Sequence, residues 1–399
     1  MAVGSTGSTV VERYIELGLR LGRHVDGFVD AYYGPPEIAA RVDAEPVTAP
    51  ARLAADAAGL LTDLDAGVEA DTLGPGRRHW LRGQLGGLRT SARKLAGEDI
   101  GYLDEVEWCY GARPALVPED RFDDAHRQLD AVLPGSGPLR DRIIAWREGH
   151  AVPPEALRRA IDSLADDLRE RTVERFGLPE GERIEWLLET DKPWSGFNYY
   201  EGGLRSRVAI NVDLPVLSLT LAHLVAHEAY PGHHTEHSRK EAGLVRQRRW
   251  LEESISPVGT PQCTMSEGLA DLGLEVVVGR RSEGFSAEHL RPLGVTYDEE
   301  VATSVNQATE ALSWVRSNAA ILLHDQGMPH DDVVAYLERW ALLPHARATK
   351  AVSFLTDPTW RAYSHCYTEG LRLCRSWVDG DAARFERLVT DQLLPSDLS

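Results

Sequence analysis

Along most of this chain apolar residues recur at three- and four-residue steps, the spacing that gives a helix one buried face. Over residues 9–33, Val10, Val11, Tyr14, Ile15, Leu17, Leu21, Val25, Phe28 and Val29 keep that spacing until Gly34-Pro35-Pro36 stops it. Shorter helices are expected over 36–42, 49–66 and 76–95, and 118–176 is helical again with breaks near Gly135 and Gly149. Beyond residue 240, helices are expected over 240–254, 265–279, 297–324, 331–342, 346–355, 360–377 and 381–394. Two aromatic stretches, one closed by Gly34 and one by Gly111, read as helix ends finished by glycine in a left-handed conformation.

The period changes in one place. Residues 183–189 and 204–212 alternate as strands do, around a segment rich in turn residues and aromatics. A small antiparallel sheet of two to four strands is expected there, as an insert over 182–212. No Pro/Gly/Ser linker divides the chain. The expected organisation is one large, mainly α domain over 1–399, with a metal-binding core over 221–279.

Charge narrows the partners. With 43 basic and 62 acidic residues the formal net charge is −19, the wrong sign for nucleic acid or an anionic membrane. Residues 1–9 lack the basic and apolar regions of a signal peptide, and no apolar run reaches the length of a membrane span. Cys109, Cys263, Cys366 and Cys374 form no CxxC pair, which fits a reducing compartment. A cytoplasmic protein is the expectation.

The chemistry concentrates in residues 221–237, where five histidines and two glutamates follow an apolar helical run. Buried polar groups without partners are costly, so such a cluster implies a use for them. Imidazole and carboxylate together suit Zn²⁺. His227-Glu228 begins like the zincin signature, in which two histidines one turn apart hold zinc and the glutamate activates water. Here Pro231 occupies the usual second histidine position. In a straight helix neither His233 nor His234 could share an ion with His227. Pro231 and Gly232 supply the distortion, since proline breaks the hydrogen-bond ladder and glycine allows unusual conformations. His233 is the preferred second ligand and His234 the alternative.

A third ligand is expected from Glu267, which shares one helix side with Asp271 and Glu275. Asp271 would orient a ligating histidine through its other ring nitrogen. Glu228, next to a ligand, is placed to act as general base. Stabilising the developing oxyanion needs a donor, with Tyr367, Arg316, Tyr363 and His365 as candidates. His223, one turn before His227, is an alternative ligand; Glu236 and His237 fit supporting or surface roles.

The block His227-Glu228-Ala229-Tyr230-Pro231-Gly232-His233-His234, followed by Glu267-Gly268-Leu269-Ala270, resembles the bacterial DUF885 family. That family is itself similar to helical zincin metallopeptidases of the M32 carboxypeptidase type. The resemblance covers roughly the C-terminal half and implies a zincin-like helical fold and metal-dependent hydrolysis of a peptide or related amide. Leu269 stands where the family usually has tryptophan, which bears on the pocket's shape.

For substrate, an extended strand beside the metal helix can pair with a peptide backbone. Asn198 and Tyr200 lie at the turn-rich edge of the insert, Tyr363 is a further contact, and Arg205 or Arg207 could meet a substrate carboxylate, giving carboxypeptidase-like activity. Two other accounts compete with a zinc peptidase. One is a metal-dependent hydrolase or tailoring enzyme acting on a small amide or ester; the other is a non-catalytic helical binding protein.

Overall fold

The structure is a computed structural model that describes residues 8–192 and 194–398. The expectation drawn from residues 1–7 lies outside the described residues. The protein is mainly helical with two small sheets. No described helix is long and apolar enough to cross a membrane. All four cysteines are free.

Three apolar clusters form the interior. One joins Val10–Gly22 with Pro50–Asp65 and Pro75–Leu95. A second packs residues 102–143 against 305–366. The third surrounds the helix Ser218–Glu228 (the motif helix) with Pro154–Phe176, the strands of the insert and Pro261–Val277 (the acidic helix). The acidic helix also crosses Ser364–Val378 (the tyrosine helix) at very short range. A Cβ on Gly268 would meet the Gly370 carbonyl oxygen at 2.3 Å, and one on Gly370 would meet that of Thr264 at 2.3 Å. Glycine at both positions lets the two backbones touch. That contact brings Tyr363 and Tyr367 over Glu267.

Several elements differ from expectation. The first helix stops at Gly22, and Gly27 (φ 76°) turns the chain into strand β1, Val29–Tyr32. Gly34 therefore follows a strand and not a helix; Gly111 (φ 72°) does close a helix as expected. The insert holds β2 (Arg183–Glu189), β3 (Gly196–Gly202) and β4 (Arg205–Asn211) in the order β2-β4-β3. β3 and β4 form an antiparallel hairpin, but β2 runs parallel to β4, so the sheet is mixed. The physical reason lies in the crossover after β2, which passes over the end of β4 and is tied there. Asn211 donates to the carbonyls of Lys192 and Trp194 at 2.9 and 2.8 Å. The insert is also not the sole β region, because β1 pairs antiparallel with β5, Ile255–Pro257.

The helix expected over 240–254 is a π-helical turn, Glu241–Gln247, and a separate 3₁₀ turn, Leu251–Ser254. Positive φ at Arg249 divides them. The one expected over 297–324 is split by a 3₁₀ turn at Ala311–Ser313. A helix at Glu283–Leu290 had no clear periodicity to announce it.

Candidate metal centre

The motif helix ends at Glu228. Ala229 leaves helical space (φ −123°, ψ −85°), and Pro231 has no N–H to continue the ladder. The Tyr230-Pro231 peptide is cis. Gly232 N–H donates to the Ala226 carbonyl at 2.9 Å, so the chain doubles back over the helix end. A Cβ at Gly232 would lie 1.9 Å from the His227 carbonyl oxygen, and only glycine fits. A second helix, His233–Lys240, then begins. The expected kink is a complete break, and it turns His233 back to face His227.

The predicted trio converges. His233 Nε2 lies 3.1 Å from His227 Nε2. Glu267 Oε2 lies 3.3 Å from the first imidazole and 3.9 Å from the second. These side chains are close enough to hold one metal ion. Ligands set tetrahedrally around zinc stand about 3.3 Å apart, a value the three edges bracket.

Outer hydrogen bonds fix which nitrogens are free. His227 Nδ1 is 2.8 Å from Asp271 Oδ1, an acceptor, so Nδ1 carries the proton and Nε2 presents its lone pair. His233 Nδ1 is 3.2 Å from Ser266 Oγ, whose hydroxyl donates to Glu236 Oε2 at 2.5 Å; Nδ1 donates here too. With both imidazoles neutral, two lone pairs would face each other across 3.1 Å; without a metal, a proton on His227 Nε2 bridges them. Glu267 Oε2 is buried beside them without a hydrogen-bond partner, while Tyr363 Oη donates to Oε1 at 2.5 Å. Three acceptors gathered away from water destabilise one another unless a cation lies among them. The donor set, two imidazole nitrogens and a carboxylate oxygen, fits a divalent metal ion.

Electrostatics agree. Burial alone would lower the His227 pKa, but Asp271 and then Glu267 outweigh it and raise it well above the usual imidazole value, so this spot attracts positive charge. Burial and the neighbouring His227 lower His233. Burial works against ionised Asp271, yet His223 and His227 hold its carboxyl far below the ordinary range.

The trio opens on a cavity of roughly 970 Å³, counting its mouth. Its walls include Glu228, Asn198, Tyr363, Tyr367, Trp194 and Trp360. Glu228 makes no side-chain hydrogen bond to a described residue. Burial pushes its carboxyl up to about 7, partly offset by His227. A Cβ on Gly196 would sit 2.8 Å from Glu228 Oε1, so that glycine in β3 makes room for the carboxylate. Asn198 Nδ2 donates to the Glu228 carbonyl at 2.6 Å and so ties β3 to the end of the motif helix. The Tyr367 hydroxyl has no partner among the described residues, and its ring lies 6.5 Å from that of His227.

Other predicted residues fall elsewhere. His234 points away from the centre: its Nε2 meets Glu182 Oε2 at 2.8 Å and its Nδ1 meets Ser206 Oγ at 2.8 Å, with no exposed side-chain surface. The reversal of the chain that aims His233 inward necessarily aims its neighbour outward. Tyr200 is buried, donates to Glu241 Oε2 at 2.5 Å and stacks on His237, so it builds core and does not line this cavity. Arg205 is exposed at the far end of β4, opposite the end that pairs with Gly196, and Arg207 is held by Glu201. Neither reaches the cavity. Arg316 is exposed and lies outside the cavity lining, with Tyr367 nearby. His365 is buried between Ser317 and Tyr102.

His223, His227 and Asp271 form a second group close enough for a metal, with His223 Nε2 3.3 Å from Asp271 Oδ1. His223 is half-exposed and outside the cavity. That group shares His227 through the opposite nitrogen.

Sequence reasoning missed Ser266, although it adjoins Glu267, and Glu182, whose isolated acidic side chain carries no spacing signal. It also missed Asp30, hidden because β1 was read as helix.

Fold and site together define a mainly helical protein with a candidate metal centre of two histidines and a glutamate. No protein-family model matches the sequence, and no curated protein matches it. Among solved structures, the chain is similar in fold to a "putative lipoprotein" from Colwellia psychrerythraea. Identity is 14%, over 86% of this chain and 68% of that one, with a TM-score of 0.52. A comparison with a "putative lipoprotein of unknown function" from Shewanella oneidensis gives 14% identity over 98% and 72% of the two chains, with a TM-score of 0.44.

Proposed function

We propose that this protein is a zinc-dependent hydrolase of a peptide or related amide bond, with His227, His233 and Glu267 as ligands. One observation carries the reading: two imidazole Nε2 atoms and a carboxylate oxygen without a hydrogen-bond partner meet in the same cavity as Glu228. Zinc held there supplies Lewis acidity, acidifying water and polarising a carbonyl. Glu228 takes the proton of the attacking water on its free carboxylate and delivers it to the departing amine. Tyr367 donates its unpartnered hydroxyl to the developing oxyanion. Asp271 and Ser266 hold the two imidazoles in the tautomer that keeps Nε2 free. Aromatic walls exclude water and grip the substrate's apolar part.

The carboxypeptidase-like expectation rested on Arg205 and Arg207, and neither lines the cavity. The DUF885 resemblance supports the ligand set through the block His227–His234, which holds both histidines, and through Glu267-Gly268-Leu269-Ala270.

The test is metal analysis of the purified protein, then digestion of a peptide library by zinc-loaded wild type and Glu228→Gln. One zinc per chain and a rate lower by about 10²–10⁴ in the variant, with zinc retained, are expected. Equal cleavage by both proteins, or absence of stoichiometric metal binding, overturns the proposal.

A further inference from the structure

Asp30 is a carboxylate that the proposed chemistry does not use. β1 carries it, with Ala31 turned to the core and Asp30 exposed on the opposite face, where it lines the metal cavity. No hydrogen bond or ion pair joins Asp30 to any described residue. Its charged neighbours are the carboxylates Glu267 and Glu228, and no cation acts on it. Among the described residues lining the cavity there is no lysine or arginine, although the walls carry Asp30, Glu228 and Glu267.

A second observation is independent of these acids. Gln262 and Asn198 line the same cavity and are only 8% and 7% exposed, yet Gln262 Oε1 and Asn198 Oδ1 have no partner. The Ser256 hydroxyl, also on the wall, is without one. Unmatched acceptors on the same cavity wall call for hydrogen-bond donors, and a carboxylate among them favours donors that carry positive charge. With Glu267 engaged by a metal and Glu228 serving as base, Asp30 remains the uncompensated charge.

We infer that Asp30, with Gln262 on the wall of the same cavity, binds a cationic group of the substrate, an alkylammonium or guanidinium, and so sets specificity at this centre. The inference rests on the hydrolase reading for the word substrate, but the site itself does not. The aromatic walls add cation–π attraction for the same class of group. The cation comes either from a free α-amine or from a basic side chain.

The test uses the protein as purified and two probes that cannot be hydrolysed: phenethylammonium and its neutral isostere 2-phenylethanol, titrated calorimetrically at pH 8. Wild type should bind the ammonium at least about tenfold tighter, about 1.4 kcal/mol, and Asp30→Asn should bring the two within threefold. Circular dichroism checks that the variant is folded; Gln262→Leu, which keeps the carboxylate, should weaken the ammonium alone by a few-fold. Equal binding of both probes by wild type, or an unchanged preference in Asp30→Asn, overturns the inference. Peptide pairs then separate the sources: lysine against norleucine, and free against acetylated N-termini. A probe preference without any peptide cleavage sinks the hydrolase reading and leaves the cation site standing; cleavage that ignores charge does the reverse.

Discussion

Asp271→Asn isolates the support of the centre from the centre itself. The carboxylate accepts the His227 Nδ1 proton at 2.8 Å from inside the protein, with a side chain only 16% exposed. Asparagine keeps the shape but loses the charge. It replaces a charge-assisted hydrogen bond by a neutral one of about half the strength. Its amide nitrogen can also present a donor to Nδ1, which would favour the tautomer that blocks Nε2. Loss of such an outer partner costs roughly 10–100-fold in metal affinity, or about 1.4–2.7 kcal/mol. Zinc competition against a chromophoric chelator at pH 7.5 measures this, with circular dichroism to confirm an intact fold. His223→Gln is the control. It removes the other group near Asp271 Oδ1, at 3.3 Å, and should shift zinc affinity less than Asp271→Asn does. The reasoning fails if Asp271→Asn binds zinc like wild type while His233→Ala does not. A larger loss in His223→Gln would instead move the ion to the other side of His227.

Two further perturbations follow. Tyr367→Phe should lower kcat by about 10- to 1,000-fold with zinc affinity and KM little changed; a change confined to KM would make this tyrosine a substrate contact and not an oxyanion donor. Glu182→Gln reports on the fold behind the centre. Although burial opposes its charge, His234 and Tyr230 hold the Glu182 carboxyl down at about 2, against an ordinary 4.5. A depressed folded-state pKa means the ionised form is stabilised by folding. That stability is complete above pH 4.5 and is lost as pH falls towards 2. Urea unfolding should show wild type about 3 kcal/mol more stable than the variant at pH 7, with the gap closing between pH 4.5 and 2. A gap independent of pH would deny Glu182 this role.

How much was legible differs from residue to residue. The dense His/Glu run, the proline in the second histidine's place and the acidic helix were all visible as pattern. Together they selected His227, His233, Glu267 and Asp271, which the structure brings together. Tyr200 and Arg205 were misjudged because strand register alone does not say which end of a sheet faces a cavity. β3 presents Gly196 and Asn198 to the motif helix, so residues toward its other end are carried away from it.

By itself the sequence determined the mainly helical class, through a period of three to four residues, and a break at Pro231-Gly232, through what proline and glycine backbones forbid and allow. Only the tertiary structure decided between His233 and His234, because that choice depends on how the chain reverses at Gly232 and not on spacing. Tertiary packing also made β1 a strand: four residues are too few to set a period, and pairing with β5 more than two hundred residues later supplies the hydrogen bonds. Asp30 reaches the cavity by that long-range pairing, which no local stretch of sequence encodes.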